Sequence, residues 1–72
     1  MRLIDIPAGK SARVVDVTGG MGMKNRLAAI GIYPGATVKV VKSLPGPMII
    51  EVSGTRLALG KGMAARIEVE EE

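Results

Sequence analysis

The stretch RLAAIGIYPGATVKV, from Arg26 to Val40, contains a helix end, a tight turn and a strand start within fifteen residues. Gly31 is predicted to end the helix, because glycine accepts the left-handed conformation that follows a last helical turn. Residues 33–36, Tyr-Pro-Gly-Ala, place Pro and Gly at the two centres of a type II turn. The chain is therefore predicted to pass from helix to strand with almost no loop.

The helix before this turn is predicted from about Met23 to Ile30. Met23, Leu27 and Ile30 recur at i, i+4 and i+7, which places them on one helix face, directed toward the core. The glycine-rich residues 19–22 before it are predicted to form a flexible connection.

Short β-branched and alternating segments surround the helix and predict strands. Val38 and Val40 alternate with Lys39, for example, as in a half-buried strand. The predicted strands are Ser11 to Gly19, Thr37 to Ser43, Met48 to Val52, Arg56 to Leu59, and a last short strand around Ile67 and Val69 before an acidic tail. Five short strands with close turns predict an all-β fold, a small closed barrel whose closure would remove exposed strand edges.

Length and composition exclude several classes of protein. A chain of 72 residues predicts a single domain over residues 1–72. It contains no Cys and no His, which removes the usual ligands of zinc and redox sites, so no metal site is expected. No apolar run is long enough to span a membrane, and a cytoplasmic protein without membrane insertion is expected.

Two glycine-rich stretches imitate nucleotide-binding motifs. GKGMAA, residues 60–65, fits a dinucleotide pattern, but only seven residues follow it, too few for a βαβ unit. GGMGMK, residues 19–24, has neither phosphate-loop spacing nor a hydroxyl after Lys24. The serines have no histidine base and the carboxylates form no evident pair. We therefore expect no cofactor, no catalytic residue and no enzyme activity.

Charge is distributed unevenly along the chain. Residues 1–67 hold all ten Lys and Arg against three acidic residues, a net of +7, and four glutamates follow at residues 68–72. A basic body of this kind fits nucleic acid, an acidic protein surface, or simply a solvated surface with spaced single charges. Tyr33 is the only aromatic residue, which counts against stacking platforms for single-stranded bases.

Four segments together resemble one protein family, FeoA, over nearly the whole chain. They are LIDIPAG at Leu3 to Gly9, RLAAIGIYPGATVKV at Arg26 to Val40, GPMIIEVSGTRLALG at Gly46 to Gly60, and AARIEV at Ala64 to Val69. The resemblance implies an SH3-like barrel of five strands with one short helix inserted between the first two. It also implies binding to the cytoplasmic, GTP-binding region of the membrane permease FeoB in support of ferrous iron uptake. The alternative from a different class is a small basic barrel that binds RNA or DNA.

A docking surface is expected on the loops and the inserted helix, because a barrel's strands are engaged in its own closure. Tyr33 lies just outside the helix, where a lone aromatic often anchors an interface or else caps the barrel end. Lys24 is directed to solvent and Arg26 lies near the boundary of the core face. The predicted partner-binding residues, whose basic members would meet an acidic patch on the permease, are Met21, Lys24, Arg26, Tyr33, Leu44 and Pro47.

Overall fold

The strands and the inserted helix follow one another in the order that the sequence pattern predicts. The structure, a computed structural model, describes residues 1–43 and 45–72. Its elements are a 3-10 turn (Leu3–Asp5), β1 (Ser11–Val17), α1 (Met21–Ala29), β2 (Thr37–Lys42), β3 (Met48–Val52), β4 (Thr55–Leu59), α2 (Lys61–Ala64) and β5 (Ile67–Glu71). Among these described residues, no helix is long and apolar enough to cross a membrane.

The five strands form one antiparallel sheet in the order β4-β3-β2-β1-β5. Register shifts interrupt the β1–β5 and β2–β3 pairings, and such bulges bend strands and increase their twist. This confirms the predicted class, an all-β fold of five strands with a helix between the first two. The closure expected from the sequence is not made by strand pairing, however. In the part of the chain that the structure describes, no pairing joins β4 to β5, and α2 connects these two strands instead.

Apolar side chains from every strand meet in one core. The strands supply alternating residues, and α1, α2 and the segments before β1 and β2 supply the rest. The buried residues are Leu3, Ile6, Ala12, Val14, Val17, Leu27, Ile32, Val38, Val40, Met48, Ile50, Val52, Leu59, Ala64, Ile67 and Val69. Burying one large aliphatic side chain contributes about 1.5–3 kcal/mol, so this set is the main source of stability.

The N-terminal segment was not identified as an element by periodicity, yet it contributes two core residues. Leu3 and Ile6 are buried almost completely. The segment lies against the outer edge of β5, where the Val69 N–H donates to the Met1 carbonyl at 2.7 Å. Its 3-10 turn also contacts α2. The first residues of the chain therefore cover one end of the core and one edge of the sheet.

Helix α1 begins earlier and ends earlier than predicted. It starts at Met21, so Gly22 is helical rather than part of a flexible connection. It ends before the i+7 position, and Ile30 is 45% exposed instead of lying in the core. The Gly31 N–H donates to Ala28 O (3.0 Å) and the Ile32 N–H to Leu27 O (2.8 Å), which is the Schellman pattern. Gly31 has a φ of +99°, and this reversal makes Ile32 the core residue.

The turn after the helix has the predicted geometry. The Ala36 N–H donates to the Tyr33 carbonyl at 2.9 Å, and Gly35 has a φ of +96°, as type II requires. The turn is tied to β1 by two further bonds of 2.8 Å each, from Gly35 N–H to Val14 O and from Val14 N–H to Ala36 O. The helix end and the following strand are thereby fixed to the first strand.

The acidic C-terminal residues are part of the sheet rather than a tail. β5 continues to Glu71, and the Glu72 N–H still donates to Ser11 O at 3.1 Å. Glu70 forms an ion pair with Arg13 on β1, and Glu68 forms one with the N-terminal ammonium. Ile67 and Val69 face the core, and the strand continues to Glu71 because Glu70 and Glu71 pair with Arg13 and Ala12 of β1.

Candidate functional site

A groove lies between α1, the end of β1 and residues 32–34, and we call it the helix groove. It encloses about 220 Å³. The residues that line it are Asp16, Val17, Met21, Lys24, Asn25, Ala28, Ile32, Tyr33 and Pro34. Small-molecule sites usually occupy roughly 300–1,000 Å³, so this volume is better matched to one large side chain of a partner protein.

One face of α1 forms a wall of the helix groove. Met21, Lys24, Asn25 and Ala28 follow one another at i, i+3, i+4 and i+7, the spacing that aligns side chains on a helix. The opposite wall exists because the Gly31 reversal directs the chain back beside the helix. The local sequence around the helix end thus creates the groove.

The helix groove combines an apolar surface with two opposite charges. Met21 is 71% exposed and Tyr33 is 51% exposed, so both are available to a partner. Lys24 supplies a cation, and Asp16 supplies a carboxylate whose Oδ1 accepts from the Val17 N–H at 2.8 Å. Methionine adapts to irregular surfaces and tyrosine is a frequent interface anchor. The arrangement suits recognition of an apolar side chain next to a charged one.

The structure brings together three of the six residues predicted for the docking surface. Met21, Lys24 and Tyr33 line the helix groove. Arg26 is exposed on α1 but does not line it. Pro47 lies in a separate depression formed by residues 45–47, 60 and 61. The sixth predicted residue, Leu44, lies outside the residues that the structure describes.

Sequence reasoning missed Asn25, Ala28 and Asp16 as groove residues. The first two could have been found from periodicity if the helix had been started at Met21, because they complete its i, i+3, i+4, i+7 face. The glycines at positions 19, 20 and 22 hid that start. Asp16 carried no comparable signal, since its place beside the helix follows from tertiary packing.

The charged and polar side chains of the described residues are all at least partly exposed. Over residues 1–43 and 45–72, no charged or polar residue is buried, and no three potential metal-ligating side chains of the His, Cys, Asp and Glu types come together. In the helix groove, Asp16, Lys24 and Tyr33 are all exposed.

Five antiparallel strands, the helix inserted between the first two and the short turns define a small SH3-like barrel, and the helix groove lies on its surface. The FeoA domain family matches residues 1–71. The chain therefore belongs to the FeoA family, whose members are accessory proteins of ferrous iron transport rather than known enzymes.

Individual relatives agree with this assignment. An Fe(2+) transport protein A of Methanocaldococcus jannaschii is 36% identical over 63 residues, which cover 88% of this chain and 77% of that protein. The crystal structure of an iron uptake regulatory protein, FeoA, is 40% identical with a TM-score of 0.93, covering 100% of this chain and 97% of that one. FeoA of Stenotrophomonas maltophilia, described as a prokaryotic SH3 domain protein and solved with zinc, is 30% identical with a TM-score of 0.84, covering 97% and 89%.

Proposed function

We propose that this chain acts in ferrous iron uptake by docking through its helix groove onto the cytoplasmic, GTP-binding region of a FeoB-type permease. The observation that carries the proposal is the convergence of Met21, Lys24 and Tyr33 on one groove. The site of action is the cytoplasmic face of the membrane, and the chain itself does not insert into the bilayer. Membership of a family of iron transport accessory proteins supports a protein partner of this kind.

Docking would use both chemical features of the groove. An apolar side chain of the permease enters between Met21 and Tyr33 and loses its contact with water, which supplies most of the affinity. An acidic neighbour on the permease lies near Lys24 and sets orientation and association rate. The whole of residues 1–72 serves as one docking domain in this proposal.

Nucleic-acid binding, the alternative, has less support from the charge arrangement. A nucleic-acid surface presents a continuous basic stripe. On the sheet, Arg56 lies next to Glu51 at 3.4 Å, Lys39 lies opposite Glu51 on the neighbouring strand, and Arg13 pairs with Glu70. Charges of opposite sign therefore alternate across this face, which lowers its attraction for phosphate groups.

A matched pair of variants tests the docking proposal. The double variant Lys24→Ala/Tyr33→Ala removes the charge and the aromatic ring of the helix groove. We expect its dissociation constant for the purified cytoplasmic region of FeoB to rise at least about tenfold, in line with the loss of one interface anchor. Calorimetry or a pull-down measures this, with circular dichroism to verify the fold.

The control is Pro47→Ala/Lys61→Ala, which alters the separate depression at residues 45–47, 60 and 61. It is expected to bind within about twofold of the wild type, a change below half a kcal/mol. If the groove variant binds as well as the wild type, the docking proposal is wrong. If only the control loses binding, the partner docks around Pro47 instead.

A further inference from the structure

The two outer edges of the sheet differ in how they are covered. At β5, the N-terminal residues pair with the edge through Arg2 and Glu68 and through the bond from Val69 N–H to Met1 O. At β4, no backbone partner other than β3 is present among the residues that the structure describes. β4 therefore presents an open edge, a feature that natural proteins ordinarily protect.

The hairpin geometry identifies which backbone groups of β4 face outward. The β3–β4 turn has two residues, 53–54, with φ of +51° and +78°, as in a type I′ hairpin. In such a turn the flanking pair, Val52 and Thr55, exchanges both backbone hydrogen bonds. Along the two strands from there, non-hydrogen-bonded pairs alternate with hydrogen-bonded pairs. The N–H and C=O groups of Arg56 and Ala58 therefore point away from β3 toward the open edge.

Two of the usual protections against strand addition, a proline and a β-bulge, are missing from β4. The strand TRLAL contains no proline, and its register with β3 runs from Val52–Thr55 to Met48–Leu59 without a bulge. Its only charge is Arg56, which is exposed. A five-residue edge of this kind is a template for a further strand.

An apolar groove runs beside this edge, and we call it the edge groove. It encloses about 550 Å³ between the end of α1 and the β3–β4 hairpin. Ile30, which is 45% exposed, and the half-buried Leu57 line it. The side chain of Leu57 lies on the core side of β4, because its partner Ile50 is fully buried. A strand added at the edge would place alternate side chains in this groove.

We propose that the β4 edge binds an extended acidic segment of another protein by strand addition. The segment pairs antiparallel with β4 and exchanges backbone hydrogen bonds with Arg56 and Ala58. Its residue opposite Arg56 is acidic: Arg56, the only charge of β4, pairs with Glu51 of β3 through Nε, but its side chain stays 66% exposed and can accept a second carboxylate. The residues on either side of that acidic residue are apolar and enter the edge groove beside Leu57 and Ile30.

A second copy of this chain is the less suitable occupant. If two β4 edges pair antiparallel with Leu57 opposite Leu57, the two Arg56 side chains are diagonal neighbours across the strands. If they pair with Arg56 opposite Arg56, the two side chains face each other directly. Each Arg56 has one carboxylate beside it, Glu51 of its own β3, and β4 supplies no second one for the Arg56 of the other copy. Each copy also carries a net charge of +3. An acidic strand from a different protein avoids this repulsion.

The test uses the full chain and a defined probe, the peptide acetyl-Thr-Ile-Glu-Val-Glu-Val-Thr-amide, with a control peptide in which both glutamates are lysine. Amide hydrogen exchange followed by NMR is the readout. In the free chain, the Arg56 and Ala58 amides are expected to exchange at least about tenfold faster than the Leu57 amide, which bonds to β3. Saturation with the acidic peptide slows both by at least about fivefold, and the lysine peptide does not.

Two variants complete the test. Ala58→Pro removes an outward N–H that β3 does not use, so the fold is retained while the dissociation constant for the acidic peptide rises at least about fivefold. Arg56→Glu exchanges the preference, so that the lysine peptide binds better than the acidic one.

Several results would overturn the proposal. Slow exchange of Arg56 and Ala58 in the free chain at every concentration would mean that the edge is already covered. Protection that rises with protein concentration would assign the edge to a second copy, and equal binding of both peptides would remove the charge requirement. These results concern β4, none of whose residues lines the helix groove, and Ala28 is the one residue that lines both grooves.

Discussion

Gly31 and Gly35 have nearly the same backbone φ, +99° and +96°, but different surroundings. A Cβ added to Gly31 would lie 2.6 Å from Val52 Cγ1, whereas one added to Gly35 would meet nothing within 4 Å. Both glycines are required by conformation, because L-residues with a side chain adopt this φ at a cost. Only at Gly31 does close packing add to that requirement.

The two alanine variants separate these contributions. Gly35→Ala is expected to lower the free energy of unfolding by about 1–2 kcal/mol, the cost of the left-handed conformation alone. Gly31→Ala is expected to lower it by at least about 1 kcal/mol more, because Val52 must move within the core. Urea denaturation of both variants measures the difference. Equal losses would mean that the contact between Gly31 and Val52 is looser than the structure describes.

The sequence predicts that Gly31 ends the helix and that a type II turn follows, but it does not predict which of the two isoleucines, Ile30 or Ile32, is buried. Ile30 fits the helical period and was expected in the core, yet Ile32 occupies it. Periodicity assumes that the helix continues through i+7. The Schellman hydrogen bonds end it one residue short of Ile30, and this depends on the backbone geometry of Gly31 rather than on hydrophobicity.

Helix α1 lacks a strong N-terminal capping signal. Its N-cap is Gly20, which makes no side-chain cap, and its first turn contains no acidic residue. The cap backbone is extended (φ −75°, ψ 171°), and an added Cβ there meets nothing within 4 Å. A capping side chain is therefore compatible with the fold.

Gly20→Asp is accordingly expected to stabilise the protein by about 0.5–1 kcal/mol, through an N-cap hydrogen bond and a favourable interaction with the helix dipole. Thermal unfolding of the variant, compared with Gly22→Ala as a control for the loss of glycine flexibility, measures this gain. If Gly20→Asp has no effect while Gly22→Ala stabilises, the helix begins after Met21, as the glycine-rich sequence suggested.

Strands were easier to predict than the terminal segments. The apolar–polar alternation of a segment such as Val38-Lys39-Val40 matches the buried and exposed faces of the folded strand, because each strand has one buried face. The 3-10 turn at Leu3–Asp5 has no such repeat, and its Leu3 is buried only because β5 and α2 lie beside it. The last glutamates were expected beyond the fold and lie in β5 for a similar reason, the pairing with β1.

Across the whole molecule, the charges are organised by the sheet. Arg13 on β1 pairs with Glu70 on β5, and Arg56 on β4 pairs with Glu51 on β3. Exposed pairs of this kind contribute only about 0–1 kcal/mol each, so their main consequence is the neutralisation of one face. The cation at the helix groove, Lys24, is not part of the ion pairs formed among the described residues.

The candidate site could be predicted only in part from the sequence. Met21, Lys24 and Tyr33 were predicted because loops and helix ends are usual places for recognition, and the fold places all three at the helix groove. Pro47 was included by the same rule, but the fold places it in a different depression. Which loops converge is decided by the sheet order and the path of α1 across the core, and no local pattern encodes that convergence.

An NMR titration distinguishes docking of the permease at the helix groove from docking elsewhere on the chain. Isotopically labelled chain is titrated with the purified cytoplasmic region of FeoB while the backbone amide signals are recorded. We expect the largest changes at Met21, Lys24, Asn25, Ala28 and Tyr33, and little change at residues 45–47 and 60–61. Changes centred on residues 45–47 and 60–61 or on β4, with the helix groove unaffected, would show that the permease does not dock at the helix groove.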